Sequence, residues 1–347
     1  MNSALSTAGA IPLVIPVFIP HEGCPHSCVF CNQHRISGIQ GKPLSADDVT
    51  RITRTWLERD RKKNRCRVQV AFYGGSFTGL ALSRQQELLA AVLPFIRNGA
   101  VQAIRCSTRP DSIDAVIVNF LYARHVRVVE LGGQSLDDSV LQNSRRGHSA
   151  ADVVQASTML KNAGMELGIQ LMVGLPGQNF SSLRGTTDQV VSLAPDFVRI
   201  YPVLVVAGSG LARWYKRGEY RPLTLTRAVL QTAWMKKKLM AAGIRVVRMG
   251  LQPGRDLEKA LLAGPYHPAF GELVNARLML QQTRKLLSGV GPGQKVLIGI
   301  SNRDLSVFKG IRQANIQRLT RLGLFDRFTL QTDPQQPRGT MKLITPD

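Results

Sequence analysis

Leu13-Val14-Ile15-Pro16-Val17-Phe18-Ile19-Pro20-His21-Glu22-Gly23-Cys24-Pro25-His26-Ser27-Cys28-Val29-Phe30-Cys31 is the stretch on which the reading of the chain turns. Its first seven residues are apolar and β-branched-rich, as a buried strand requires. Directly after that strand, Cys24, Cys28 and Cys31 follow a C-x3-C-x2-C spacing. Three thiolates so spaced reach one centre, and three is the number that leaves one iron of a four-metal cluster unligated by protein, open to a ligand. The competing metal is zinc, with His26 or His34 closing a tetrahedral site. Zinc would explain neither the position of the triad after the first strand nor the double glycine after the second.

Outward from this stretch, short β-branched runs alternate with amphipathic segments of helical period, the pattern of repeated βα units and a parallel sheet. Six strands are expected: Leu13 to Ile19, Arg67 to Tyr73, Ala103 to Thr108, Val126 to Leu131, Leu167 to Met172 and Asp196 to Val203. Helices are expected near Ala46 to Arg61, Ser83 to Asn98, Asp111 to Arg124, Ala150 to Ala163, Asn179 to Leu193 and Leu225 to Ala242. The fold class is therefore α/β, a partial (β/α)6 barrel over residues 11–252, preceded by a tail over 1–10. Beyond a Gly-Pro-rich link, residues 253–347 read as a small C-terminal α/β module, with strands at Lys295 to Ser301 and Phe328 to Thr332, helices near Glu272 to Leu287 and Leu305 to Leu322, and loosely held last residues.

In such barrels chemistry gathers at the C-terminal strand ends. Those ends carry the cysteines, then Tyr73-Gly74-Gly75-Ser76-Phe77, Ser107-Thr108-Arg109-Pro110-Asp111, Glu130-Leu131-Gly132-Gly133-Gln134-Ser135 and Gly174-Leu175-Pro176-Gly177. Cys66 and Cys106 lack a partner spacing and read as buried thiols.

The run from Ile11 to Ile19 is broken by Pro12 and Pro16 and is a strand, not a signal or span. The expected address is the cytoplasm, where clustered thiols hold metal more often than they pair. Forty-five basic against 23 acidic residues give a net charge of +22, which favours a polyanionic partner. Ten of the basic residues lie between Leu211 and Gln252, against Glu219 alone. A solvated helix face is the plainer account of that run.

The cysteine spacing, with the aromatic Phe30 before Cys31, resembles the defining motif of radical S-adenosylmethionine (radical SAM) enzymes. The resemblance implies a [4Fe–4S] cluster on Cys24, Cys28 and Cys31, with S-adenosylmethionine chelated at the open iron and cleaved by an electron to a 5′-deoxyadenosyl radical. It further implies that Gly74, Gly75 and Ser76 form the glycine motif that meets the methionyl amino group, with Ser76 in place of an acidic residue. Ser107, Gln134, Arg146 and Gln170 would bind ribose, carboxylate and adenine groups, and a ferredoxin, flavodoxin or reductase would donate electrons. Ala71 to Phe77, Glu130 to Ser135 and Arg146-Gly147-His148 look most like the Elongator branch, whose catalytic subunit acts on the wobble uridine of tRNA. This chain lacks room for that subunit's acetyltransferase domain, so its full activity is not expected here.

An RNA substrate, tRNA above all, would use Arg213, Lys216, Arg217, Lys236, Lys237 and Lys238 on phosphates. Trp214, Tyr215, Tyr220 and Trp234 would stack on bases or pack on the sheet, packing being favoured for the helical Trp234. His267 and Glu272 form either a proton relay over the barrel mouth or a proline-shaped turn leading into a helix. The alternatives are a radical SAM enzyme acting on a small anionic metabolite, as coproporphyrinogen dehydrogenase does, and an RNA-binding module with a structural cluster. Neither a membrane nor DNA is an expected partner.

Overall fold

A computed structural model describes residues 12–19, 22–32, 43–60, 67–291 and 293–344. The expected N-terminal tail, His34 and Cys66 lie outside them.

The main sheet is parallel throughout and keeps chain order. Its strands are β1 (Leu13–Phe18), β2 (Val68–Tyr73), β3 (Ala103–Thr108), β4 (Val126–Gln134), β5 (Glu166–Val173) and β6 (Phe197–Pro202). After the two-residue β7 (Val205–Val206) comes β8 (Arg245–Met249), which pairs with β6 and gives the sheet one strand more than the sequence reading. Its two valines sit between arginines, so charge hides the alternation.

Helices connect the strands: α1 (Ala46–Arg59), α2 (Leu82–Ala90), α3 (Leu93–Arg97), α4 (Ala115–Ala123), α5 (Asp138–Asn143), α6 (Ala150–Asn162), α7 (Phe180–Leu193), α8 (Gly210–Lys216) and α9 (Leu225–Ala241). One helix was expected where α2 and α3 stand; Pro94, which has no N–H to give, sits in the first turn of the second. Val70, Phe72, Ile104, Val129, Leu131, Ile169, Leu171, Val198 and Ile200 are buried in one core cluster. Each is worth about 1.5–3 kcal/mol of burial.

Strand alternation sends the residues between them to the opposite face. That face is polar. Tyr73 on β2 reaches Arg199 on β6, whose Nη2 donates to the tyrosine hydroxyl at 2.9 Å. Four strand spacings in a flat sheet would be about 19 Å, more than two side chains cover comfortably, so the sheet curls and its concave face forms the lumen of a half-barrel.

Past β8 come α10 (Arg255–Ala260), β9 (Leu261–Ala263), α11 (Phe270–Ser288), β10 (Val296–Ser301), α12 (Leu305–Lys309), α13 (Ala314–Arg321), β11 (Phe328–Asp333) and β12 (Met341–Ile344). The helix expected near Leu305 to Leu322 breaks at Gly310, whose φ is +73°. The last residues, expected to be loose, are held as far as Ile344, because β12 adds antiparallel to β10 while β11 adds parallel on its other side. Helix α11 bridges two cores: Phe270 and Val274 pack under the main sheet, Met279, Leu280 and Leu287 under the small one.

Candidate functional site

The cysteine loop is held from three sides by backbone groups. Ser76 N–H donates to Glu22 O at 3.2 Å, Val29 N–H to Ser144 O at 3.1 Å, and Leu211 N–H to Val29 O at 2.6 Å. Asn32 adds its side-chain amide to Ala207 O at 2.9 Å. Within the loop, Cys31 N–H closes on Cys28 O at 3.0 Å.

The double glycine is explained at contact level. A Cβ on Gly75 would stand 2.1 Å from Glu22 O, and one on Gly74, at φ +106°, 2.6 Å from Ile19 O. Only bare backbone lets the loop after β2 lie against the chain that carries the cysteines. Ser76 is 1% exposed and spends its hydroxyl inward, 2.9 Å from Thr108 Oγ1 and accepting from Arg109 N–H at 3.2 Å. It ties the second loop to the third.

Cys28 is buried, Cys24 and Cys31 are half-buried, and these three and the buried Cys106 are thiols. Burial pushes the Cys24 thiol up, against the pull of Arg146. Among the described residues no three Cys, His, Asp or Glu side chains are drawn into a ligand set. His26 is exposed, its ring against Gly147, where a Cβ would meet it at 2.5 Å.

Arg146 is no surface residue. Its Nη1 donates to Cys28 Sγ at 3.2 Å and its Nη2 to Gly132 O at 2.6 Å. Arg109, 2% exposed and paired with Asp111, in turn holds Arg146 O at 2.7 Å. The neighbouring Arg145 has left-handed backbone, φ +50°, and is exposed. That turn separates the two arginines.

Gln134, also left-handed at φ +65°, accepts from Gln170 Nε2 at 3.1 Å. Ser107 is half-buried and in register with Glu130. His148 sets Nε2 3.2 Å from Gly133 O. Burial first, then Arg146 and Arg109, hold its pKa down to about 3, so the ring is neutral and Nε2–H is the donor.

Sequence reading missed the lumen network. Glu130, 3% exposed, accepts from Tyr73 Oη at 2.9 Å and pairs with Arg105 and, at 3.0 Å, with Arg199. Burial first, then Glu130, pushes the Tyr73 phenol well above its ordinary range, so it stays a donor. Burying a carboxylate is costly unless it is paired and hydrogen-bonded, and two guanidiniums and a phenol meet that condition here. The available signal was a charge at alternate positions inside three apolar strands.

The basic residues divide. Lys236 donates to Asn275 Oδ1 at 2.6 Å, and burial lowers its pKa. Lys238 faces Asp188 at 3.4 Å, Arg217 is paired with Glu219 at 2.6 Å, and Arg213, Lys216 and Lys237 are exposed. Trp234, half-buried, packs against the core and edge-on to Phe180, centroids 5.1 Å apart. His267 Nδ1 accepts from Ala269 N–H at 3.0 Å and Glu272 lies in the first turn of α11, which is the turn-and-helix arrangement.

The pattern of the radical SAM superfamily matches residues 18–190, and that of the radical SAM C-terminal domain residues 195–280. The tRNA uridine(34) acetyltransferase of Methanocaldococcus infernus is 31% identical over 75% of this chain and 55% of its own length. Its Methanocaldococcus jannaschii counterpart is 24% identical over 75% and 54%. The chain thus spans about half the length of these curated relatives. Among solved structures, the archaeal Elp3 of M. infernus, with an N-terminal deletion, superposes with a TM-score of 0.61 at 23% identity, covering 79% of this chain and 64% of that one. Among the described residues no helix is long and apolar enough to cross a membrane. With a parallel half-barrel, a three-cysteine loop after its first strand and these likenesses all in place, the chain belongs to the radical SAM superfamily, alongside its Elongator-like members.

Proposed function

We propose that this protein is a radical SAM enzyme acting on a nucleoside of tRNA, with Cys24, Cys28 and Cys31 as the protein ligands of a [4Fe–4S] cluster. The observation that carries the reading is that one guanidinium, Arg146, touches both Cys28 Sγ and the β4 backbone beside Gln134. Cysteine loop and polar lumen therefore meet at one end of the sheet.

The donor set fits the cluster the family implies: three soft sulfur ligands on one braced loop, with a cation against the buried thiol. When bound, cluster and S-adenosylmethionine supply an electron and a 5′-deoxyadenosyl radical that removes hydrogen from a substrate. The chain's own residues bind and orient. Arg146 offsets negative charge at Cys28, and Phe30 helps to shield the loop. Gly74 and Gly75 admit the methionyl group by backbone, while Ser107, Gln134 and Gln170 offer polar atoms to ribose, carboxylate and adenine. Ser76, turned inward, acts by holding the glycine loop in place. Arg213, Lys216 and Lys237 are the cations available to phosphate, with Arg217, Lys236 and Lys238 already engaged. The likeness to tRNA uridine(34) acetyltransferases supports this substrate class. A ferredoxin, flavodoxin or reductase provides the electron. Residues 11–252 would hold the cofactors and residues 253–347 would form the appended module.

Anaerobic protein reconstituted with iron and sulfide should carry roughly four of each per chain and form 5′-deoxyadenosine when reduced, more so with total tRNA. The Cys28→Ala variant should lose both. A colourless, zinc-filled protein, or full iron loading in Cys28→Ala, overturns the assignment; turnover with small anionic metabolites but not tRNA overturns the substrate.

A further inference from the structure

We infer that a cavity beside the cysteine loop seats one unpaired base of the RNA, next to the nucleoside that enters the barrel. The inference rests on the RNA reading above and deepens it. The cavity, of about 390 Å³, lies between the loop after β5, the end of α5 and the segment joining α8 to α9. Its walls include Leu175, Trp214, Tyr220 and Leu223, with Asn143, Glu219 and Arg221 bringing polar groups.

These walls suit a flat, aromatic guest. Tyr220 commits its hydroxyl to Gly174 O at 2.6 Å, and Gln178 its amide to Gly174 N–H and Met172 O. Two polar side chains of the lining are thus spent on the loop itself and Glu219 on Arg217, which leaves ring and aliphatic surface beside Asn143 and Arg221. The half-buried Trp214 ring packs against a cluster that holds Leu175 and Tyr220, and the Arg145 guanidinium lies over it, 5.8 Å from its centroid. Every base has a π-face, so such a platform binds single strands with little regard to sequence.

Charge identifies the guest further. Arg221, exposed, lines the cavity, Arg145 lies by Trp214, and Arg213 and Lys216 are exposed on α8, while Arg217 is neutralised by Glu219. A free small anion would want several cations inside the cavity. Here two aromatic rings share the lining with a single arginine, Arg221, which suits one base and its phosphate. The seat is also continuous with the radical site: Val29 and Phe30 of the cysteine loop pack in the same apolar cluster as Trp214, and Leu211 N–H of α8 donates to Val29 O at 2.6 Å. An RNA base on Trp214 therefore sits one side-chain layer from the loop.

The test uses the full chain and a short unstructured RNA oligonucleotide carrying a fluorescent label. Trp214→Leu should weaken its binding about tenfold by anisotropy, Trp214→Phe should retain most of the affinity, and Arg221→Ala should weaken binding while leaving both aromatic rings in place. In a Trp56→Phe/Trp234→Phe background, which leaves Trp214 as the sole tryptophan, the oligonucleotide should quench its emission and a duplex of equal length should not. Unquenched emission with equal affinities for wild type and Trp214→Leu overturns the seat and leaves RNA binding standing. Failure of wild type to bind any RNA at low salt, tRNA included, overturns the substrate reading and the seat with it.

Discussion

Arg146 and His148 stand on either side of Gly147 and serve the same corner differently. Arg146 bridges Cys28 Sγ and Gly132 O with two nitrogens of one planar fork, which a lysine ammonium on a flexible stem cannot reproduce. Arg146→Lys should weaken S-adenosylmethionine binding about tenfold, read by calorimetry, and strand a buried carbonyl at a cost of about 1–3 kcal/mol, read as a lower denaturation midpoint. His148 is held neutral, with a pKa near 3 against about 6.5 in an unfolded chain. Between those values the unfolded chain binds the extra proton, so stability rises with pH there and is lost as pH falls from about 6.5 towards 3. Denaturation midpoints should show that slope in wild type and a shallower one in His148→Gln. At this scale the sequence was informative where spacing alone puts residues together, as with the three cysteines on one loop after β1. It was silent on which of Arg145 and Arg146 is buried, because one left-handed residue decides that.

Among the elements, the contact between the β2 loop and the cysteine loop is the least tolerant of change. Gly75→Ala puts a methyl group 2.1 Å from Glu22 O, so one backbone must move. It should cost about 2–3 kcal/mol and lower iron retention after desalting. Gly185 in α7 has open space around it, with nothing within 4 Å of where a Cβ would stand, and Gly185→Ala should instead gain about 0.5–1 kcal/mol. Both are read from thermal or urea melts, and equal effects would remove the claim of close approach. Strands β1 to β6 were legible because each is a short apolar run ended by glycine or proline. Strand β8 was not, because arginines interrupt it, and β12 is four residues long. The pairing of Arg105, Glu130 and Arg199 escaped notice because only register shows that three charges on three strands share one face.

On the scale of the whole molecule, an excess of 22 positive charges is spent unevenly. Salt bridges and burial withdraw Arg217, Lys236 and Lys238, while Arg145, Arg213, Lys216 and Arg221 remain exposed near α8. If those four supply the phosphate contacts, affinity for single-stranded RNA should fall roughly fiftyfold between 50 and 200 mM salt. Filter binding across that range measures it, and a flat response would exclude a phosphate-led interface. The basic run was visible in the sequence. Its division into engaged and available cations depends on Asn275, Asp188 and Glu219, of which only the last is a neighbour in the chain.

The three-sided clamp on the cysteine loop also bears on maturation. Glu22 is gripped by Ser76, and Val29 by Ser144 and Leu211, partners that a ribosome delivers some fifty to nearly two hundred residues after the cysteines themselves. The thiols acquire their setting only once distant segments have docked, so an isolated peptide spanning Glu22 to Asn32 would not hold the shape. If these thiols take the proposed cluster, iron and sulfide would reach them late, on a chain already folded.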